Sequence, residues 1–272
     1  MSSGTGPGLR ETGREAPAPR WEGAPTSTWE LRWGVPRFEA WVRVGSTNDR
    51  ARTLAADGAP PFTLVVAEEQ VAGRGREGRS WASPSGLGLW ASLVLRSPDL
   101  HARLLTPLLV GVAVCRAVET RVPELEVGLK WPNDVLLGRR KLAGVLCEGD
   151  LEGTVVVGVG VNVRQRPRDF PPPIRGRAVS LEMAAGREVG RAPLLGEIVS
   201  RIRELMDPPA ARLSGALARE VAARDRLRGH AVVTHGDRPG VARGIDPDGA
   251  LRVEREGGRT ERVRAGSVRR VT

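Results

Sequence analysis

The chain has 272 residues, enough for one large domain with a smaller companion, and 40% of them are hydrophobic, which excludes disorder throughout. Lys and Arg outnumber Asp and Glu by 42 to 32, and the net charge of +10 suits nucleic acid, a phosphorylated cofactor or an acidic protein without choosing among them. Rings are too few for a base-stacking platform (Trp 7, Phe 3, Tyr 0), and Cys115 and Cys147 lack the close partners of a zinc site or a disulfide scaffold.

Residues 1–28 mix Arg, Glu, Gly and Pro with no sustained period and no apolar signal-peptide core, so they read as a flexible extension. They leave no room for a helix-turn-helix domain before the first motif. A short strand carrying Val42 and Val44 comes next, then a helix opened by Ser46 and Thr47 and running to about Ala56. Residues 62–68 and 89–96 read as strands around a loop rich in Gly and Arg. The apolar run 104–115 is too short to span a membrane and reads as a buried helix over 106–121, with Thr106 as cap and Pro107 at the first helical position.

Short β-branched runs at 128–131, 133–138, 141–149 and 154–163 predict strands of one sheet beneath a helical layer. The proline-rich stretch 169–176 is a surface connection, and helices follow at 192–206 and 210–226. From 228 to 272, GDRPG, DPDG and EGG turns separate short strands, the pattern of a small β-barrel-like domain. The expected class is therefore α+β, with a main domain of sheet and helices over 29–227 and a β domain over 228–272, in a soluble, cytoplasmic protein.

Three segments carry chemistry. In residues 68–90, Gly73, Gly75 and Gly78 alternate with Arg74, Arg76 and Arg79 just before Trp81, so backbone and guanidiniums can both approach an anion. The spacing is neither a Walker A loop nor a dinucleotide fingerprint. In residues 128–149, Lys130 ends an apolar strand that Trp131-Pro132-Asn133-Asp134 then breaks, which suits either a phosphate or carboxylate partner or an ordinary edge lysine. In residues 155–163, Gly158 and Gly160 leave room for a close approach, and Asn162 offers donor and acceptor. His101, His230 and His235 stand apart from these segments, and no serine sits in a nucleophile elbow.

Together these segments resemble the biotin protein ligase family. Its loop pattern is met by Gln70, Gly73 to Arg76, Gly78, Arg79, Trp81, Ser83, Pro84 and Gly86, and its second pattern by Lys130 to Asp134, Lys141 and Gly144, with Glu148 in register. Gly158, Gly160 and Asn162 match its Gly-x-Gly-x-Asn strand, and Ser46, Thr47 and Asn48 its early biotin-contacting segment. The resemblance covers about 38–272. It implies a catalytic domain related to class II aminoacyl-tRNA synthetases, an SH3-like C-terminal domain, and ligation of biotin to a lysine through biotinyl-5'-AMP, without the DNA-binding domain and repressor role of some bacterial members.

Carried over by position, Ser46, Thr47, Asn48, Gln70 and Arg74 attend biotin, while Arg74 and Arg76 belong to the loop that folds over the adenylate. Gly73 and Gly75 give that loop its shape, and Arg79 and Trp81 order it and the adenine side. Lys130 bridges the biotin carboxylate and the α-phosphate. Gly144, Gly160 and Asn162 lie by the nucleotide, and Asp134 either influences Lys130 or serves the turn. ATP and biotin are the implied substrates, with Mg²⁺ but no assigned protein ligand for it. The implied partner is a biotin carboxyl carrier domain of an acyl-CoA carboxylase, with no specific DNA and no membrane; a monomeric chain is expected, with a transient dimer as the alternative. The rivals are a lipoate ligase or octanoyltransferase, which share the fold but arrange glycine and lysine differently, a basic nucleic-acid module, and an adaptor that has lost its chemistry.

Overall fold

The structure is a computed structural model and describes residues 16–97, 99–150, 152–207 and 209–271. Its first elements correct the expectation of a flexible stretch through residue 28. β1 (Arg20–Trp21) pairs with β2 (Ala24–Pro25), and α1 (Thr26–Trp33) follows directly. Trp21 is only 4% exposed, and its ring meets those of Trp29, Trp33 and Phe38 edge-on at 6.3, 6.2 and 5.9 Å. Isolated tryptophans among polar residues carry this packing, which is why composition and periodicity overlooked it. Residues 1–15, the rest of that expected stretch, lie outside the described residues.

The main sheet is built from β3 (Phe38–Val44), β4 (Leu64–Gln70), β5 (Gly88–Arg96), β6 (Val127–Lys130), β7 (Asp134–Leu137), β8 (Arg140–Gly149) and β9 (Thr154–Asn162). Their order is β3-β4-β5-β9-β8-β7-β6; only β3 and β4 run parallel, joined by the crossover helix α2 (Thr47–Ala56). On β9, Val155, Val157, Val159 and Val161 face the large core beneath α3 (Leu100–Arg121) and α5 (Arg191–Met206). The alternate positions, Val156, Gly158, Gly160 and Asn162, face α2 and the cleft. Period-two alternation thus assigns one face to stability and the other to the site.

The helix expected to start at Pro107 begins at Leu100. Thr106 is interior and its hydroxyl donates to the Ala102 carbonyl at 3.1 Å, while Pro107 interrupts the hydrogen-bond ladder in a long, packed helix that tolerates it. The proline-rich connection forms single turns at Pro167–Asp169 and Pro172–Ile174. α4 (Leu181–Ala185) starts under the Ser180 hydroxyl, and α6 (Gly215–Arg224) is shorter than the predicted 210–226.

The C-terminal sheet comprises β10 (Ala231–Thr234), β11 (Arg238–Ile245), β12 (Leu251–Glu254), β13 (Thr260–Val263) and β14 (Val268–Arg270). All pairs are antiparallel in the order β13-β12-β11-β10-β14, and among the described residues β13 and β14 do not pair. The expected barrel is therefore an open, five-stranded sheet. Its core of Leu227, Val232, Ala242, Leu251, Val253 and Val268 is completed by Trp131 from the main domain, 3% exposed, whose indole N–H donates to the Gly249 carbonyl at 2.8 Å. Among the described residues no helix is long and apolar enough to cross a membrane.

Candidate functional site

The glycine-bearing face of the main sheet and the near edge of the C-terminal sheet enclose a cleft of about 1260 Å³. Every sequence-predicted site residue lines it except Gly73. Among the lining side chains are eleven Arg and Lys against three Asp (Asp134, Asp169 and Asp225), so the cation excess of the chain is focused there.

The floor begins at the first turn of α2. Ser46 is its N-cap, but the Gln70 side chain takes the Thr47 N–H at 2.9 Å, with Thr47 Oγ1 3.0 Å from the same oxygen. Ser92 Oγ stands 2.7 Å from Thr47 Oγ1 and 2.6 Å from Asn48 Oδ1, and Asn48 Nδ2 donates to Glu148 at 2.6 Å. Gln70 Nε2 donates onward to Ser83 at 2.9 Å. Ser92 was missed from sequence; its signal is a hydroxyl in an otherwise apolar strand, at a position alternate to the core residues Ala91 and Leu93.

The glycines answer to side chains of the protein itself. A Cβ on Gly160 would fall 2.7 Å from the Trp81 ring, one on Gly144 would meet Trp81 at 3.0 Å and Lys141 at 3.1 Å, and one on Gly158 would collide with Asn48. Trp81 thus lies flat on a glycine floor, with the Lys141 ammonium 4.9 Å from its ring centroid. Gly73 starts the loop, opposite Trp81, where a Cβ would strike the Trp81 carbonyl at 2.6 Å.

The loop is a small hairpin. Trp81 N–H donates to Gly73 O at 2.8 Å and Gly75 N–H to Arg79 O at 2.7 Å, and its tip turns through Glu77 and Gly78 at φ 58° and 71°. Its three arginines diverge. Arg74 grips Asp49 with two hydrogen bonds of 2.6 Å, Arg76 reaches across to Asn133 Oδ1 at 3.4 Å, and Arg79 bonds Glu77 and the Arg76 carbonyl within the loop. The Asp49 carboxyl is held below its ordinary range by the Arg74 hydrogen bond.

Opposite the hairpin, Asp134 lies between two ammoniums, Lys141 at 2.5 Å and Lys130 at 3.3 Å. Burial pushes its carboxyl up, but the two lysines outweigh burial and its pKa is lowered. Asn162 donates to the carbonyls of Val179 at 3.1 Å and Lys141 at 3.3 Å, so its amide group holds the cleft wall. His230 lines the cleft on the C-terminal side, and the His101 side chain lies outside the described residues. Cys115 is fully buried with its thiol pushed up to about 12 by burial; Cys147 is half-buried and burial raises it too, so neither is an activated nucleophile. Among the described residues no three His, Cys, Asp or Glu side chains gather as metal ligands, and Asp134 is committed to two lysines. These residues do not fit a resident Mg²⁺ site.

A model of the Biotin/lipoate A/B protein ligase family matches residues 42–163, which spans both the biotin and the lipoate branches; that of the Biotin protein ligase C terminal domain matches residues 232–269. Curated relatives decide between the branches. The bifunctional ligase/repressor BirA of Bacillus subtilis is 38% identical over 78% of this chain and 67% of its own, and the biotin–[acetyl-CoA-carboxylase] ligase of Mycobacterium tuberculosis is 36% identical over 86% and 89%. The biotin protein ligase of Aquifex aeolicus, solved in complex with biotin and ATP, superposes with a TM-score of 0.75 at 30% identity, covering 87% of this chain and 100% of that one. The chain belongs to the biotin protein ligase family.

Proposed function

We propose that the chain activates biotin with ATP and ligates it to a lysine of a biotin carboxyl carrier domain of an acyl-CoA carboxylase. The observation that carries this reading is the convergence of all three motif segments on one cationic cleft, in a chain whose relatives are biotin ligases. A carboxylate is a poor acyl donor to an amine. In the first step a biotin carboxylate oxygen bonds to the α-phosphorus of ATP, and the bond to the bridging oxygen breaks to release pyrophosphate. In the second, the acceptor amine bonds to the acyl carbon, gives up its proton, and AMP leaves. Both steps concentrate negative charge on oxygen, for which fixed cations are the suitable catalysts.

Lys130 is the cation we assign to the meeting point of carboxylate and α-phosphate, and its tether to Asp134 supports a fixed ammonium. Arg76, within reach of Asn133 next to that lysine, supplies the second positive group and closes the loop over the adenylate. Thr47, Asn48 and Gln70, with Ser46 beside them, offer the convergent donors and acceptors that a biotin ureido ring needs. Trp81 presents a ring for adenine, with Gly144, Gly160 and Asn162 shaping the space around it and Arg79 ordering the hairpin. ATP brings Mg²⁺ on its own phosphates. The C-terminal sheet, read as SH3-like, caps the cleft of a monomeric, cytoplasmic enzyme, consistent with its match to the family's C-terminal domain.

Biotin-dependent exchange of labelled pyrophosphate into ATP tests the first step directly. Exchange that requires biotin is the expected result, and its absence at saturating Mg²⁺ overturns the proposal.

A further inference from the structure

Of the three loop arginines, Arg74 alone is gripped at both terminal nitrogens by one carboxylate. That carboxylate is Asp49, in the first turn of α2, where the helix N-terminus also favours negative charge. The grip belongs to a quartet: Arg52 donates to Asp49 at 2.9 Å and pairs with Glu148 at 3.0 Å, and Arg74 lies 3.6 Å from Glu148. Two carboxylates offset two guanidiniums, so both terminal nitrogens of Arg74 are committed to protein partners.

The quartet is wired to the other end of the loop. Glu148 accepts from Asn48, whose oxygen faces Ser92; Ser92 faces Thr47, Thr47 donates its N–H to Gln70, and Gln70 donates to Ser83 just past Trp81. The two ends of the hairpin are therefore joined through the polar floor of the cleft, while its tip is held by Arg76 to Asn133, by Arg79 to Glu77 and the Arg76 carbonyl, and by its own backbone.

We infer that Asp49 is a positioning residue: with Glu148 it seats Arg74, anchors the start of the loop to α2, and leaves the segment 75–80 as the part that opens. The inference rests on the proposed function for its ligand and on the ion quartet for its mechanism. An isolated surface pair contributes up to about 1 kcal/mol. Here the pair restrains a loop whose glycines make ordering costly, so its loss appears in loop opening before it appears in global unfolding.

The test uses the full chain with Asp49→Asn, Asp49→Glu, Arg74→Met and the Asp49→Asn/Arg74→Met double variant. Release of synthetic biotinyl-AMP and, without ligand, amide hydrogen exchange over 73–80 are followed. Asp49→Asn should speed both by about tenfold, the factor equivalent to ~1.4 kcal/mol, with an unchanged thermal midpoint. Asp49→Glu should recover most of the difference. In the Arg74→Met background the Asp49 change should add less than about twofold, because the partner it serves is gone. An equal effect with and without Arg74, or no effect of Asp49→Asn on loop exchange, overturns the inference. A parent chain that binds no biotinyl-AMP overturns the proposed function instead, and loop exchange still decides for or against the seat.

Discussion

Lys130 and its neighbours set the terms at the scale of single residues. Its ammonium shares Asp134 with Lys141, and the lowered Asp134 pKa keeps that carboxylate charged from neutral pH down through the usual carboxylate range, the attraction fading only below it. Replacing Lys130 by Ala should slow single-turnover biotinyl-AMP formation roughly 100- to 1,000-fold, the cost of one transition-state contact. Arg should not restore the rate, since a planar fork cannot take the place of a compact ammonium wedged beside Asp134. A near-parental rate for the Ala variant sinks the assignment. Gly160→Ala should push Trp81 off its floor and raise the KM for ATP several-fold while biotin affinity holds, because Thr47, Asn48 and Gln70 spend their hydrogen bonds on one another, Ser92, Glu148 and Ser83 and not on the ring. Equal weakening of both substrates argues against this division.

At the scale of elements, the strand break at Lys130 to Asp134 joins the two sheets. The backbone that delivers Lys130 to the cleft also delivers Trp131 into the core of the C-terminal sheet. Trp131→Ala should cost about 3 to 5 kcal/mol in urea unfolding, the usual loss for a buried tryptophan, and should weaken ATP use more than biotin binding. Biotin and ATP falling in parallel indicate instead a general loss of fold. The strands and α2 were legible because alternation and an N-cap are local signals. The start of α3 was not, since Pro107 mimicked a first-turn proline while packing under α5 kept the helix going through it.

Across the whole molecule, the N-terminal segment is a structural strap. Glu22 pairs with Arg191, a guanidinium only 5% exposed that also binds Glu68 at 2.8 Å and the Gly88 carbonyl at 3.1 Å. Arg164 adds Glu22 and the Gly86 carbonyl, so the strap buttresses the far end of the glycine loop. Removing residues 1–28 takes away buried Trp21 and strips Arg191 of one carboxylate. Such a truncation should lose at least about 3 kcal/mol of stability. Truncation before residue 16 leaves these contacts in place. Equal thermal midpoints for the two truncations overturn this reading of the strap.

The sequence by itself determined the family and the α+β class, and it named a set of residues that, Gly73 apart, all line the cleft, because the family's motifs set particular groups at short spacings: Arg74 to Trp81, Lys130 to Asp134, Gly158 to Asn162. Tertiary structure decided which groups those residues answer to. Gly160 and Gly158 make room for Trp81 and Asn48, Arg74 is turned to Asp49, Trp131 belongs to the second sheet, and Trp21 is buried within a stretch that reads as flexible. These are contacts between segments far apart in the chain, and a local pattern of residue types carries no record of which distant partner will neutralise a charge or cover a ring.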